Sequence, residues 1–376
     1  MKKIAIAVAA AMTAAAAGAA NVEIYGIVDT GLGYTNKDTL AGTTETFEMI
    51  NGYTAGSRVG FKGKEDLGNG YAVSFILDNG FASDTGTLGQ NGRMFGRESQ
   101  VKFHTPYGTM SFGRAGTLMS GAGSQEIFGT YADAIPGGWD GIFNVANYQG
   151  NGMRLDNMVT YVSPTAAGFT AHAQYSFAND TVKAKDTDSV SNPRETNRYV
   201  ALGLTYANGP VQAVVVYDTL MYKHETGGAA VNNIGDNRNL SLGGSYDFGF
   251  MRVSAYGQYV KGARDAYLID VDALPLLPLS KTYDADGYNF GLGVLVPTDF
   301  GRFTVAGYYG KLDVNDDAEN SEAENFNVML THEYDLSKRT TIYSGLAYRQ
   351  VKCEGDVVKL VDDKTTQVVL GLRHAF

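Results

Sequence analysis

Large apolar residues alternate with small or polar ones along most of this chain. From Gln367 to Phe376, the positions Val368, Leu370, Leu372, His374 and Phe376 share one face; Gln367, Val369, Gly371, Arg373 and Ala375 share the other. Val200, Leu202, Leu204 and Tyr206 alternate in the same way with Tyr199, Ala201, Gly203 and Thr205. So do Phe326, Val328, Leu330, His332 and Tyr334 with Asn327, Met329, Thr331 and Glu333. A period of two predicts strands with one apolar face. About sixteen such runs are predicted, at 23–34, 55–65, 70–80, 92–104, 108–115, 153–163, 168–178, 197–207, 210–222, 238–247, 250–261, 286–296, 302–312, 323–335, 340–352 and 365–376. Most are about ten to thirteen residues, long enough to cross a bilayer when tilted. Strands of soluble proteins average about five or six.

The connections alternate too. Short turns rich in Gly, Pro, Asn and Asp occur at 65–70, 105–108, 163–167, 207–209, 247–249, 297–301 and 335–339. Longer polar loops lie between them. Short turns on one rim, long loops on the other and both termini at the short rim define an outer-membrane barrel. The fold class read from the pattern is all-β, a sixteen-stranded antiparallel transmembrane barrel. Closing the sheet removes its exposed edges.

Composition is consistent with this and excludes other classes. The 376 residues include 47 Gly, 24 Tyr and 18 Phe, the stock of turns, strands and aromatic girdles. Met1-Lys2-Lys3, an uncharged stretch from Ile4 to Ala20 and the Ala17-Gly18-Ala19 ending form an export signal. Cleavage is expected after Ala19, leaving residues 20–376 as one barrel domain. Removing Lys2 and Lys3 takes the formal charge from −10 to −12. That acidity argues against a nucleic-acid partner. Beyond the signal no apolar run of about twenty residues occurs, so no membrane helix is expected. The single cysteine, Cys353, excludes an intramolecular disulfide framework.

No constellation for catalysis or metal binding is found. His332-Glu333 lacks the second histidine of a zinc helix and lies in a strand pattern. His104, His172, His224, His332 and His374 are scattered. Gly243-Gly244 sits inside a strand pattern and reads as a small lumen-facing or packing position, not a phosphate loop. The acidic segment 313–319 lacks the calcium-loop pattern and reads as a solvated loop. The loop 270–280, with Leu274-Pro275-Leu276-Leu277-Pro278-Leu279, carries leucines suited to packing on another loop or subunit. Neither an enzyme activity nor a cofactor is expected.

Several segments, taken in order, carry a resemblance. The chain opens Val22-Glu23-Ile24-Tyr25-Gly26-Ile27-Val28-Asp29, continues with Ser57-Arg58-Val59-Gly60-Phe61-Lys62-Gly63 and Phe112-Gly113-Arg114, and ends Gly371-Leu372-Arg373-His374-Ala375-Phe376. Over nearly the whole mature length it resembles the general porins of Gram-negative bacteria, especially the proteobacterial trimeric type. The resemblance implies an outer-membrane, water-filled channel for passive diffusion of small hydrophilic solutes and ions, or a substrate-selective channel of the same architecture. It implies a homotrimer among outer-membrane lipid and lipopolysaccharide, inserted by the barrel assembly machinery, with Phe376 as its assembly signal.

In that family the third loop folds inward and its acidic residues face a ladder of wall arginines. Here the loop is about 115–152, the longest connection. By resemblance it brings Asp133 and Pro136 to the constriction. Gly137 stands where the family often has glutamate, leaving Asp140 or Glu126 as replacements. On the wall, Arg58, Arg97 and Arg154 match ladder positions by resemblance. Alternation independently puts Arg58 on one face with Lys62, and Arg154 with Asp156 and Thr160, opposite Leu155, Val159 and Tyr161. Arg97 rests on resemblance alone, with Arg93 four residues before it. An arginine at the bilayer midplane costs about 2–4 kcal/mol when it faces lipid, so mid-strand arginines should face the lumen. Opposed charges across a narrow gap set up a field that tunes ion preference.

Overall fold

The structure is a computed structural model that describes residues 21–121, 123–133, 135, 139, 141–143, 154–178, 197–222, 236–263, 284–315, 321–355 and 359–376. The export signal (1–19), Pro136, Asp140 and the leucine-bearing loop 270–280 lie outside the described residues.

Seventeen strand segments form one antiparallel sheet. They are β1 (Asn21–Thr39), β2 (Gly42–Asn51), β3 (Arg58–Gly68), β4 (Tyr71–Gly80), β5 (Glu98–Thr105), β6 (Gly108–Gly116), β7 (Arg154–Val162), β8 (Phe169–Ser176), β9 (Arg198–Asn208), β10 (Val211–Met221), β11 (Asn237–Asp247), β12 (Arg252–Ala263), β13 (Asp284–Thr298), β14 (Gly301–Asn315), β15 (Ser321–Ser337), β16 (Thr340–Gly355) and β17 (Lys359–Ala375). β17 returns to pair with β1, from Ile27↔Ala375 to Asp38↔Lys364, and so closes the barrel. β2 and β3 pair in succession with the same edge of β1 and share one stave. The barrel is therefore sixteen-stranded.

The alternation explains the wall. Val368, Leu370 and Leu372 are exposed and Val369 is buried; likewise Phe326, Val328 and Leu330 are exposed while Asn327 and Met329 are buried. In a bilayer the exposed apolar face meets lipid, and every backbone donor and acceptor must be satisfied within the sheet. Aromatic pairs stud this outer face, among them Tyr71–Phe103, Phe169–Tyr206, Tyr246–Phe248 and Tyr288–Phe290. No helix among the described residues is long and apolar enough to cross a membrane.

Five of the seven short turns share one chemistry: a side-chain oxygen accepts the backbone N–H two residues on. It recurs at Asp66 and Gly68, Thr105 and Tyr107, Asp247 and Gly249, Thr298 and Phe300, and Ser337 and Arg339. Such side-chain mimicry of a turn favours Asp, Ser and Thr there.

Three local readings are corrected by the structure. Residues 42–51, taken as loop, form β2, and β1 runs on to Thr39, so the first connection is a hairpin. The run 92–104 starts as strand only at Glu98. Gln90 and Asn91 adopt positive φ, which breaks the extended chain there. Arg93 and Arg97 thus belong to the connection between β4 and β5. In β7, Asn157 has φ +51° beside a register shift opposite Gly113, whose φ is +131°. The bulge reverses alternation, and Leu155 is buried instead of facing lipid.

Candidate pore constriction

The connection after β6 packs on the wall face opposite the lipid-facing residues. Its stem is fixed first. The Leu118 N–H donates to Gln174 Oε1 at 3.0 Å, and Gln174 Nε2 donates to the Gly116 carbonyl at 3.1 Å. The Ser124 N–H donates to Glu98, and Lys102 Nζ reaches Ser124 Oγ at 2.8 Å. A single helical turn, α1 (Phe128–Ala132), follows. Its ring Phe128 meets Tyr256 of β12 edge-on at 5.5 Å. Next, Tyr308 of β14 donates to Asp133 Oδ1 at 3.0 Å. Farther on, Asn327 of β15 donates to the Ile142 carbonyl at 2.6 Å, and Trp139 stacks its edge against Tyr343 of β16 at 5.5 Å.

Glycines on the wall make room for this segment. A Cβ on Gly203 would lie 2.8 Å from Ile127, one on Gly243 2.6 Å from Ala132, and one on Gly345 2.6 Å from Phe143. Leu118, Phe128, Trp139 and Phe143 are each 4% exposed or less and join wall residues Tyr199, Val216, Tyr256 and Tyr343 in one apolar cluster. Burial of such side chains contributes about 1.5–3 kcal/mol apiece. The connection is therefore packed on the wall, not tethered only at its ends.

The predicted basic residues fall into two groups. Arg58, at the start of β3, and Arg154, at the start of β7, each lie within electrostatic reach of Arg97, just before β5, and of Asp78 and Glu98, and Arg114 acts on Arg154 as well. Arg97 Nε is 3.4 Å from Asp78 Oδ2. Arg93 and Arg114 converge on Asp156 Oδ1 at 2.7 and 2.6 Å. Arg154 Nε is buried with no hydrogen-bond partner. Lys62 is not brought to this cluster; it pairs with Glu23 at 3.2 Å and lies over the Tyr25 ring.

The predicted acids are engaged elsewhere. Asp133 Oδ1 accepts from Tyr308 and, at 3.1 Å, from the Ile135 N–H. Glu126 accepts from the N–H groups of Gly129 and Thr130 and from the Thr130 hydroxyl. Burial pushes the Glu126 carboxyl up, and those bonds pull the other way. Phe376 is half exposed, and it exchanges two backbone hydrogen bonds with Gly26, at 3.0 and 3.1 Å.

The sequence model of Gram-negative porins matches residues 5–352. An outer membrane porin of Bordetella pertussis is 32% identical, with 98% of each chain covered. The chain belongs to the Gram-negative porin family. It is an outer-membrane porin with a transmembrane β-barrel and the general channel function of that family. Outer membrane porin protein 32 of Delftia acidovorans is 28% identical over the full length of both chains. Among solved structures, an anion-selective porin from Comamonas acidovorans superposes with a TM-score of 0.68, 25% identity and coverage of 95% of this chain and 100% of that one.

Several charged residues of this porin escaped the sequence reading. Asp78 and Glu98 lie deep in the arginine group, and Arg114 shares Asp156 with Arg93. A second charged group is equally unforeseen. Glu333 accepts from Trp139 Nε1 at 3.2 Å while holding Arg302 at 2.7 Å and Arg373 at 3.5 Å. Arg302 also reaches Asp335 at 2.6 Å. Lumen parity on β14, β15 and β17 was the available signal; the partner on the connection had none.

Proposed function

We propose that this porin is a passive, non-enzymatic diffusion channel whose narrow zone lies between the connection after β6, folded into the lumen, and the arginine group, and that it favours anions. The carrying observation is the charge balance. Five arginines, Arg58, Arg93, Arg97, Arg114 and Arg154, gather about the three acids Asp78, Glu98 and Asp156. An excess of fixed positive charge attracts anions and repels cations in confined water. Asp133 and Glu126, bonded to Tyr308 and to α1, are not among the acids that act on Arg58 or Arg154. The anion selectivity stated of the Comamonas protein supports the same reading.

Under this proposal Arg58, Arg97, Arg154 and Arg93 line the basic side, Asp133 marks the opposite side, and Lys62 acts nearer the short-turn rim. Pro136 and Asp140 belong to the same connection. The trimer and the contacts with lipopolysaccharide and the assembly machinery rest on family resemblance; the removal of residues 1–19 rests on the basic start, apolar stretch and Ala17-Gly18-Ala19 ending. Ohmic, stepwise currents from purified protein in a planar bilayer, unchanged by ATP, are the expected result. A tight, non-conducting protein contradicts the proposal.

A further inference from the structure

The stave shared by β2 and β3 is interrupted in an unusual way. On β1, Thr30 pairs with Asn51 and Ile27 pairs with Arg58. Two residues, Val28 and Asp29, therefore stand opposite six, Gly52 to Ser57. The surplus backbone does not leave the barrel. Tyr53, Thr54 and Ser57 are 6%, 1% and 2% exposed. Their partners all lie on the lumen face. Tyr53 donates to Gln367 of β17 and meets Phe143 edge-on at 5.8 Å. Arg373 Nη1 donates to Thr54 Oγ1 at 3.3 Å.

One side chain folds this segment. Asp29 is fully buried, and its Oδ2 accepts from the Thr54 N–H, the Thr54 hydroxyl and the Ala55 N–H at 2.9, 2.7 and 2.8 Å. Its Oδ1 accepts from Tyr343 at 2.7 Å. Its backbone joins in: the Gly52 N–H donates to the Asp29 carbonyl at 2.9 Å, and the Asp29 N–H to Ser57 Oγ at 3.0 Å. Gly52 enters the turn at φ +64°, a conformation that suits glycine. The segment's far end touches the basic group. Arg58 Nη1 donates to the Gly56 carbonyl at 3.5 Å, and a Cβ on Gly56 would stand 2.7 Å from Arg97 Nη1.

We propose that Gly52–Ser57 is a second constricting element of the lumen, that Asp29 is the residue that positions it, and that Gly56 sets the placement of Arg97 and Arg58. It joins the basic group at one end to the wall-packed connection at the other, through Tyr53 and Phe143. This inference builds on the reading of the protein as a channel. A bonded carboxylate is a suitable clamp, because hydrogen bonds to a charged acceptor are stronger than neutral ones. The bare Gly56 backbone leaves space that a larger residue would take from the guanidinium.

The test uses full-length protein with three substitutions. Asp29→Ala removes the clamp. Asp29→Asn keeps one carbonyl oxygen for the Thr54 and Ala55 donors and is the conservative control. Gly56→Ala pushes on Arg97 alone. Folding is checked by heat-modifiable mobility. Hydrogen exchange at the Thr54 and Ala55 amides reads the clamp without reference to conduction: protection should be lost in Asp29→Ala and largely kept in Asp29→Asn. In planar bilayers Asp29→Ala should raise single-channel conductance roughly 1.5- to 2-fold as the lumen widens. Gly56→Ala should move the chloride-to-potassium permeability ratio. If Asp29→Ala fails to fold, Gly56→Ala decides. Unchanged exchange in Asp29→Ala, or a Gly56→Ala channel with the parent's permeability ratio, overturns the proposal. Loss of conduction in the parent would instead contradict the channel reading itself, leaving the exchange result to judge the clamp.

Discussion

The indole of Trp139 donates to the carboxylate of Glu333 at 3.2 Å, across 194 residues of sequence. The same carboxylate holds Arg302 and Arg373. One wall residue thus ties the far part of the connection after β6 to three strands: its own β15, β14 and β17.

Trp139→Phe should weaken that tie without unfolding the barrel. The lost hydrogen bond goes to a charged acceptor, worth about 1.5–3 kcal/mol. Glu333 keeps both arginines, so the lower end of that range is expected. Faster protease nicking between 115 and 152 and noisier open-channel current should follow. Nicking and noise at parent levels would mean that the apolar packing of Phe143 and Ile142 suffices alone.

Arg58→Ala and Arg154→Ala should each shift permeability towards cations. Two charges about 10 Å apart in water interact by about 0.4 kcal/mol, a factor of roughly two in permeability ratio. Asp133→Asn should shift it towards anions by a similar factor. Asparagine keeps an acceptor for Tyr308, so charge changes while the tether stays. Reversal potentials in a KCl gradient check all three, and three parent-like values would remove these residues from the narrow zone.

Deleting Phe376 should affect assembly more than stability. Its two backbone bonds to Gly26 are worth about 1 kcal/mol each, little against the ladders of sixteen staves. A reduced yield of folded protein in the outer membrane is expected, with surviving channels of parent conductance. An undiminished yield would refute the assembly role.

The barrel was legible because lipid enforces a strict rule on one face. Leu370 and Val328 must be apolar, and their neighbours Gly371 and Asn327 need not be, so the period of two survives over whole strands. Rules that hold over two or three residues were less visible. Asn157, Gln90 and Asn91 change the course of the chain through single positive φ values, and any asparagine or glutamine elsewhere looks the same in sequence. The run read as strand from residue 55 begins as strand only at Arg58, and nothing near it in sequence announces Asp29 as the clamp of Thr54 and Ala55. Arg58 and Arg154, expected in mid-strand, stand at the first positions of β3 and β7, and the bulge at Asn157 breaks the alternation used to place Arg154. Asp78, Glu98 and Glu333 were not legible, because a carboxylate on a lumen face is unremarkable until its partner from a distant segment is known.

The sign of the parent's reversal potential tests the account most directly. With purified protein in a neutral planar bilayer and a KCl gradient, the excess of arginine over carboxylate should draw the zero-current potential towards the chloride equilibrium value. The shift should shrink as total salt rises, because screening at 1 M acts within about 3 Å. A potential near zero, or one drawn towards the potassium value, would contradict a basic constriction, however well the channel conducts.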